Sequence, residues 1–178
     1  MAAIVYFREF NGALGAEVPT AKNGETIQFK SSDDPNVEAE GGAVNPMISP
    51  NSGVYRSYEK YIIAYLQDLG GSANISNIEA FIDGSTPDDG VAIFAKVQLA
   101  YATPLGGGYD AAGAMLAVKE DLFTKTAGDP LVLGAGPFVE GDELASVGSH
   151  LVMQMEAYPS SSTGESSAFN LVLRYDEA

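Results

Sequence analysis

The residues able to do chemistry in this chain are few and poorly grouped. His150 is the single histidine and there is no cysteine. A Ser–His–Asp relay needs an imidazole held between a nucleophile and a carboxylate. His150 has Ser149 beside it, but no Gly-x-Ser-x-Gly elbow accompanies it. It opens an alternating apolar segment, which suits a strand-end residue without a catalytic task. One imidazole with no thiolate also falls short of a zinc shell. Hard oxygen ligands, which suit calcium, are more plentiful. They form three clusters, Asp33/Asp34/Glu38/Glu40, Asp83/Asp88/Asp89 and Glu140/Asp142/Glu143. The second contains a glycine but fails the alternating ligand pattern of an EF-hand loop, and Pro35 and Pro87 mark the first two as turns. All three read as solvated turns.

Paired carboxylates flanking a glycosidic bond would serve sugar hydrolysis. Among 24 acidic residues some pair always has a suitable separation, and no tryptophan offers a sugar platform. Gly106-Gly107-Gly108-Tyr109 lacks the Lys-Ser/Thr of a phosphate loop and the glycine spacing of a dinucleotide site. Asn74-Ile75-Ser76 matches a glycosylation sequon, read as coincidence without a secretory leader. The expectation is therefore no catalytic, cofactor-binding or metal-binding residue, no cofactor, no small-molecule substrate, and no enzyme.

Charge narrows the partners. Nine basic against 24 acidic residues leave a net −15. Nucleic-acid binding needs Lys and Arg to neutralise phosphates, and here the cations are scattered. Neither nucleic acid nor an anionic membrane is an expected partner. The absence of cysteine excludes disulfides and fits cytosolic synthesis. The opening Met1–Glu9 has too short an apolar run for a secretory leader, and no stretch approaches the roughly 18 apolar residues of a membrane span. A soluble single domain over residues 1–178 is expected.

Hydrophobic periodicity then supplies the elements. Phe169, Leu171, Leu173 and Tyr175 would share one face and Asn170, Val172, Arg174 and Asp176 the other, and Leu151, Met153, Met155 and Ala157 alternate likewise with Val152, Gln154, Glu156 and Tyr158. Period two marks half-buried strands, and the polar run 159–167 between them predicts a long-looped hairpin. Ile75–Ile82 and Val91–Tyr101, separated by the turn formers of 83–90, predict a second strand pair. Shorter strands are expected at Ile4–Phe10 and Thr26–Lys30. Tyr58–Leu69 fits a helical stripe with Ser57 as N-cap, but three tyrosines and two isoleucines favour a strand. The bunched Tyr55, Tyr58, Tyr61 and Tyr65 read most simply as core, and alternatively as an exposed contact stripe. A short helix at Ala111–Asp121, capped by Asp110, is compatible with its composition. The fold class expected is all-β: an antiparallel β-sandwich, of jelly-roll or immunoglobulin-like type, with a long irregular insertion around residues 102–149.

Four short strings carry a resemblance. Ser57-Tyr58-Glu59-Lys60-Tyr61, Ile75-Ser76-Asn77-Ile78, Tyr101-Ala102-Thr103-Pro104 and Leu173-Arg174-Tyr175-Asp176-Glu177 resemble a loose group of tailed-bacteriophage virion proteins. The likeness spans roughly residues 54–104 and 150–177. It implies an accessory structural component of the head, neck or tail, located in the virion after synthesis in the host cytoplasm. Its implied partners are other virion proteins and copies of itself, and the group has no catalytic residues to carry over. A carbohydrate-binding or adhesin-like sandwich is the alternative function.

Overall fold

The structure is a computed structural model, and it describes residues 1–33, 47–109, 119–161 and 169–178. Two antiparallel sheets pack face to face as a β-sandwich. The larger contains β1 (Ile4–Asn11), β2 (Val18–Lys22), β3 (Tyr55–Tyr58), β4 (Lys60–Asp68), β6 (Val91–Gln98), β7 (Gly106–Tyr109), β8 (Glu120–Asp121) and β11 (Ala145–Ala157). The smaller contains β5 (Asn74–Ile82), β9 (Leu131–Gly134), β10 (Phe138–Val139) and β12 (Leu171–Glu177).

The 13-residue β11 organises the larger sheet. Along one edge it pairs with β4 through residues 145–153 and with β3 through Glu156 and Ala157; along the other it pairs with β6 from His150 to Ala157. β3 and β4 are nearly one strand, interrupted only at Glu59. Beyond them β1 pairs with β4, and β7 with β3. In the smaller sheet β5 is central, with β12 on one edge and β9 and β10 end to end on the other.

Tyr58–Leu69 is extended, as expected, and its two faces separate as its alternation requires. Ile62, Ala64 and Leu66 join the main core, while Tyr61, Ile63 and Tyr65 are buried on the opposite face of the sheet. Ser57 caps no helix: its hydroxyl donates to Tyr58 O and accepts from Met155 N, at 2.8 and 3.0 Å.

Both expected strand pairs are corrected. β12 lies against β5 rather than β11, and β5 and β6 belong to different sheets. In each case both strands exist, but in different sheets. Met153 and Met155 look across at Leu171 and Leu173 within one cavity. Alternation identifies a strand's buried face and is silent about its neighbour, and connections this long let the chain change sheets. Thr26–Lys30 is likewise not a strand. Tyr58 N does donate to Lys30 O at 2.9 Å, and Ile27 and Phe29 pack on the core, but no ladder forms.

Among its described residues, the 102–149 region, beyond its Ala145 end in β11, contributes pieces of two to four residues, yet it is no appendage: Leu122, Leu131 and Leu133 from it are buried. The expected helix Ala111–Asp121 falls mostly on residues outside the described ones; its last two residues form β8.

Ile62, Leu66, Ile75, Ile78, Leu151 and Met153 are essentially inaccessible, each contributing about 1.5–3 kcal/mol of apolar burial. Ile75 and Ile78 both point inward although three apart. Asn77, at φ +50°, provides the bulge that allows this, a conformation asparagine tolerates better than β-branched residues. Gly148 has φ +78°, and a Cβ there would lie 2.7 Å from Leu133 O. The two sheets approach backbone to backbone at this point.

Candidate functional site

The structure disperses the sequence-derived candidates. Among the described residues, no group of three or more histidines and carboxylates is placed to hold a metal ion. Asp83 accepts from the Ser85 hydroxyl and from Asn170 Nδ2, both at 2.7 Å, and these bonds hold its carboxyl below the usual range. Asp142 and Glu143 accept backbone N–H bonds from Val139 and Gly141. Both therefore close turns. Of the first cluster, Asp33 is described; it accepts from Asn11 Nδ2 and Gly12 N at 2.8 and 2.7 Å. Asp34, Glu38 and Glu40 lie outside the described residues.

His150 is buried, and among the described residues no hydroxyl forms a relay with it. It sits instead in an aromatic cluster on the outer face of the larger sheet, 5.8 Å from Phe10 and 6.0 Å from both Tyr61 and Tyr101, centroid to centroid. Nδ1 is buried without a hydrogen-bond partner. Burial lowers the imidazole pKa, outweighing the carbonyls of Leu99 and Gln98 that favour the protonated ring.

This cluster anchors the segment 99–105 to the sheet. Tyr101 donates its hydroxyl to Gly12 O at 2.5 Å. Leu14 N donates to Thr103 Oγ1 at 2.9 Å. Glu59 clasps Leu105 twice, its N donating to Leu105 O and its carboxylate accepting from Leu105 N, at 2.9 and 3.0 Å. Burial and then the Glu59 charge push the Tyr61 hydroxyl to about 12, so it remains a neutral packing group at any physiological pH. Of the bunched tyrosines, Tyr55, Tyr61 and Tyr65 are buried and Tyr58 partly so; they act mainly as core. Arg8 lies 3.3 Å above the Tyr65 ring.

Two charged clusters escaped the sequence reading. Glu9, 1% exposed, receives Lys60 Nζ at 2.7 Å and Lys22 Nζ at 3.3 Å on the inner face of the larger sheet. On the outer face, Glu156 accepts from Tyr158, Arg56 and Lys119 at 2.6, 3.0 and 3.0 Å. Burial raises its pKa, but these three bonds more than reverse that. The only advance signal was weak: charged residues at core-facing positions of otherwise apolar strands, Glu9 after Phe7 and Lys60 before Ile62.

A sizeable concavity opens between the sheets at the end where β5 finishes and β12 begins. It measures about 750 Å³. Phe7, Ile93 and Met155 of the larger sheet face Leu171 and Leu173 of the smaller, while segments 22–30 and 47–49 complete its rim. No nucleophile–base pair is among its described lining residues. Compared with protein-family models, curated proteins and solved structures, the chain matches none. No helix among the described residues is long and apolar enough to cross a membrane.

Proposed function

We propose that this chain is a non-enzymatic structural protein of a tailed-bacteriophage particle, assembling as a repeated subunit in the neck, tail or head. The observation that carries the reading is where the four resembling strings lie. Ser57–Tyr61 and Tyr101–Pro104 meet, through the Tyr61–Tyr101 ring contact at 4.9 Å and the Glu59 clasp beside it. Ile75–Ile78 and Leu173–Glu177 pair in one ladder, Ser76 opposite Asp176 and Ile75 opposite Glu177. Strings far apart in sequence thus form two framework contacts, which supports a likeness of fold rather than of scattered words.

The interior supports a passive role. Glu9, Lys22, Lys60, Glu59 and Glu156 fasten strands and segments to one another. Lys22 borders the cavity but is bonded to Glu9, and the other four are not among its lining residues. Exposed Val132, Val139, Leu144 and Leu99 place apolar surface at strand edges and loops, where neighbouring subunits in a symmetric assembly would meet them. Buried tyrosines speak against the carbohydrate-binding alternative, which needs them as a platform.

Quantitative mass spectrometry of purified particles tests the proposal. A fixed, multiple copy number per particle is expected, with rings or higher oligomers of the isolated protein by analytical ultracentrifugation. Absence from washed particles would remove the assignment.

A further inference from the structure

We propose that Lys60 and Asn11 become joined by a self-catalysed isopeptide bond, with Glu9 as the acid–base group. The register of β1 and β4 puts the three side chains on one face. Glu9 stands opposite Ile62 and Phe10 opposite Tyr61, so one step further along the same ladder Asn11 stands opposite Lys60. Opposed Cα atoms in an antiparallel pair lie about 4.5–5.5 Å apart, which brings the carboxamide within reach of the flexible lysine arm. Glu9, two residues before Asn11 on the same face of β1, already accepts from Lys60 Nζ at 2.7 Å. Glu9, Asn11 and Lys60 are each 4% exposed or less, so water scarcely competes with the amine for the amide carbon.

The Asn11 carboxamide is held at its nitrogen and open at its oxygen. Nδ2 donates to Asp33 Oδ1 at 2.8 Å, whereas Oδ1 is buried without a donor among the described residues. A donor arises when the Lys60 ammonium passes a proton to Glu9. The Glu9 carboxyl then bonds Oδ1 and polarises the carbonyl, while the freed amine becomes the nucleophile. The Nζ–Cγ bond forms and the Cγ–Nδ2 bond breaks. Nδ2 departs as ammonium, having taken one proton from Nζ and one from Glu9, and nothing is oxidised or reduced. Asp33, partly exposed, stands on the departure side. An Asn-Gly pair has a competing route, attack by the glycine nitrogen on Cγ. Here Gly12 N donates to Asp33 Oδ2 at 2.7 Å, which opposes it. The reaction occurs once per chain, so it fits a structural protein and does not depend on any role in a particle.

The test is the intact mass of the purified full chain under denaturing conditions, followed by tandem mass spectrometry of its proteolytic peptides. A mass about 17 Da below that of the sequence is expected, one ammonia lost, with Lys60 and Asn11 in a single branched peptide. Lys60→Arg and Asn11→Ala should each keep the full mass of their own sequences. Glu9→Gln, which keeps shape and removes the proton carrier, should lower the linked fraction at least about tenfold. An unchanged wild-type mass overturns the proposal and needs no variant to be read. A gain of about 1 Da, deamidation of Asn11, overturns it equally. A bond mapped to Lys22 overturns the choice of nucleophile. Full linkage in Glu9→Gln overturns the role of Glu9. Should that variant lose its β-sheet circular dichroism, Glu9→Asp, whose carboxyl is drawn back by one methylene, takes its place, and linkage as fast as in the wild type overturns the role.

Discussion

The inner face of the larger sheet is divided into two unlike halves. Under the smaller sheet it is dry and apolar, built from Ile62, Ala64, Leu66 and Leu151. Beyond that cover, where β1 runs on to Asn11 and β4 begins, the same face carries Glu9, Asn11, Lys22 and Lys60, all 5% exposed or less. There the cover is segment 23–33, held by Asp33 to Asn11 and Gly12 and by Lys30 O to Tyr58 N. An apolar half needs only shape and area. A charged half must answer each buried charge, so it fixes one arrangement of strands and cover.

The sharpest way to break this contrast is to remove the carboxylate that two buried ammonium groups share. Glu9→Gln should cost about 3–5 kcal/mol in urea unfolding, because the charges stay buried after their counter-charge has gone. Being shielded from solvent, the loss should hardly change between 0.05 and 0.5 M salt. If the cost proves near zero, the charged half is not the rigid element described here. In the apolar half, Ile62→Ala should cost about 2–5 kcal/mol through lost burial and the cavity left behind. The two variants should differ in kind: pairing Glu9→Gln with Lys60→Met should give strong non-additivity in a double-mutant cycle, whereas pairing it with Leu133→Ala, in the other sheet, should be additive.

The same division decides what could be read in advance. Strand identity was legible because alternation is a local property: Ile62, Ala64 and Leu66, or Leu151 and Met153, declare a buried face from their spacing alone. Strand partnership was not, because β11 and β12 have equally good patterns whether they lie side by side or face to face. The smaller sheet's β9 and β10 are too short to show a period. The charged clusters were illegible for a further reason. Glu9 and Lys60 are 51 residues apart, and only the β1–β4 register, which sets Glu9 opposite Ile62, brings them together. The cavity is less legible still, since its wall joins strands of both sheets to a segment without regular structure.

A milder perturbation probes how the outer face is closed. Tyr101→Phe removes the hydroxyl that reaches Gly12 O while keeping the ring stack, and should cost about 1 kcal/mol. The loss should appear locally, as faster hydrogen exchange over residues 99–105, before it appears in global unfolding. Equal protection in variant and wild type would mean that the ring contacts alone hold the segment.

The smallest effect expected concerns His150, where outer-face packing rather than pairing controls an ionisable group. Glu9 and its lysines answer one another's charge, but His150 faces Phe10, Tyr61 and Tyr101, with Glu17 the charged group near enough to favour its protonation. Burial leaves its folded-state pKa below the ordinary value of 6.5. The folded chain therefore binds fewer protons than the unfolded chain once pH drops through about 6.5, so stability falls with pH from there down to the depressed folded value and is flat above it. His150→Phe removes that titration and fills the same aromatic site without a ring nitrogen lacking a partner. Its melting temperature should be less sensitive to pH between about 7 and 5 than that of the wild type. Glu156, whose pKa is also lowered, contributes the same sign at more acid pH, from about 4.5 downward, so the two are separable by window. If His150→Phe and wild type lose stability in parallel between pH 7 and 5, the imidazole is not the group that couples this face to protons.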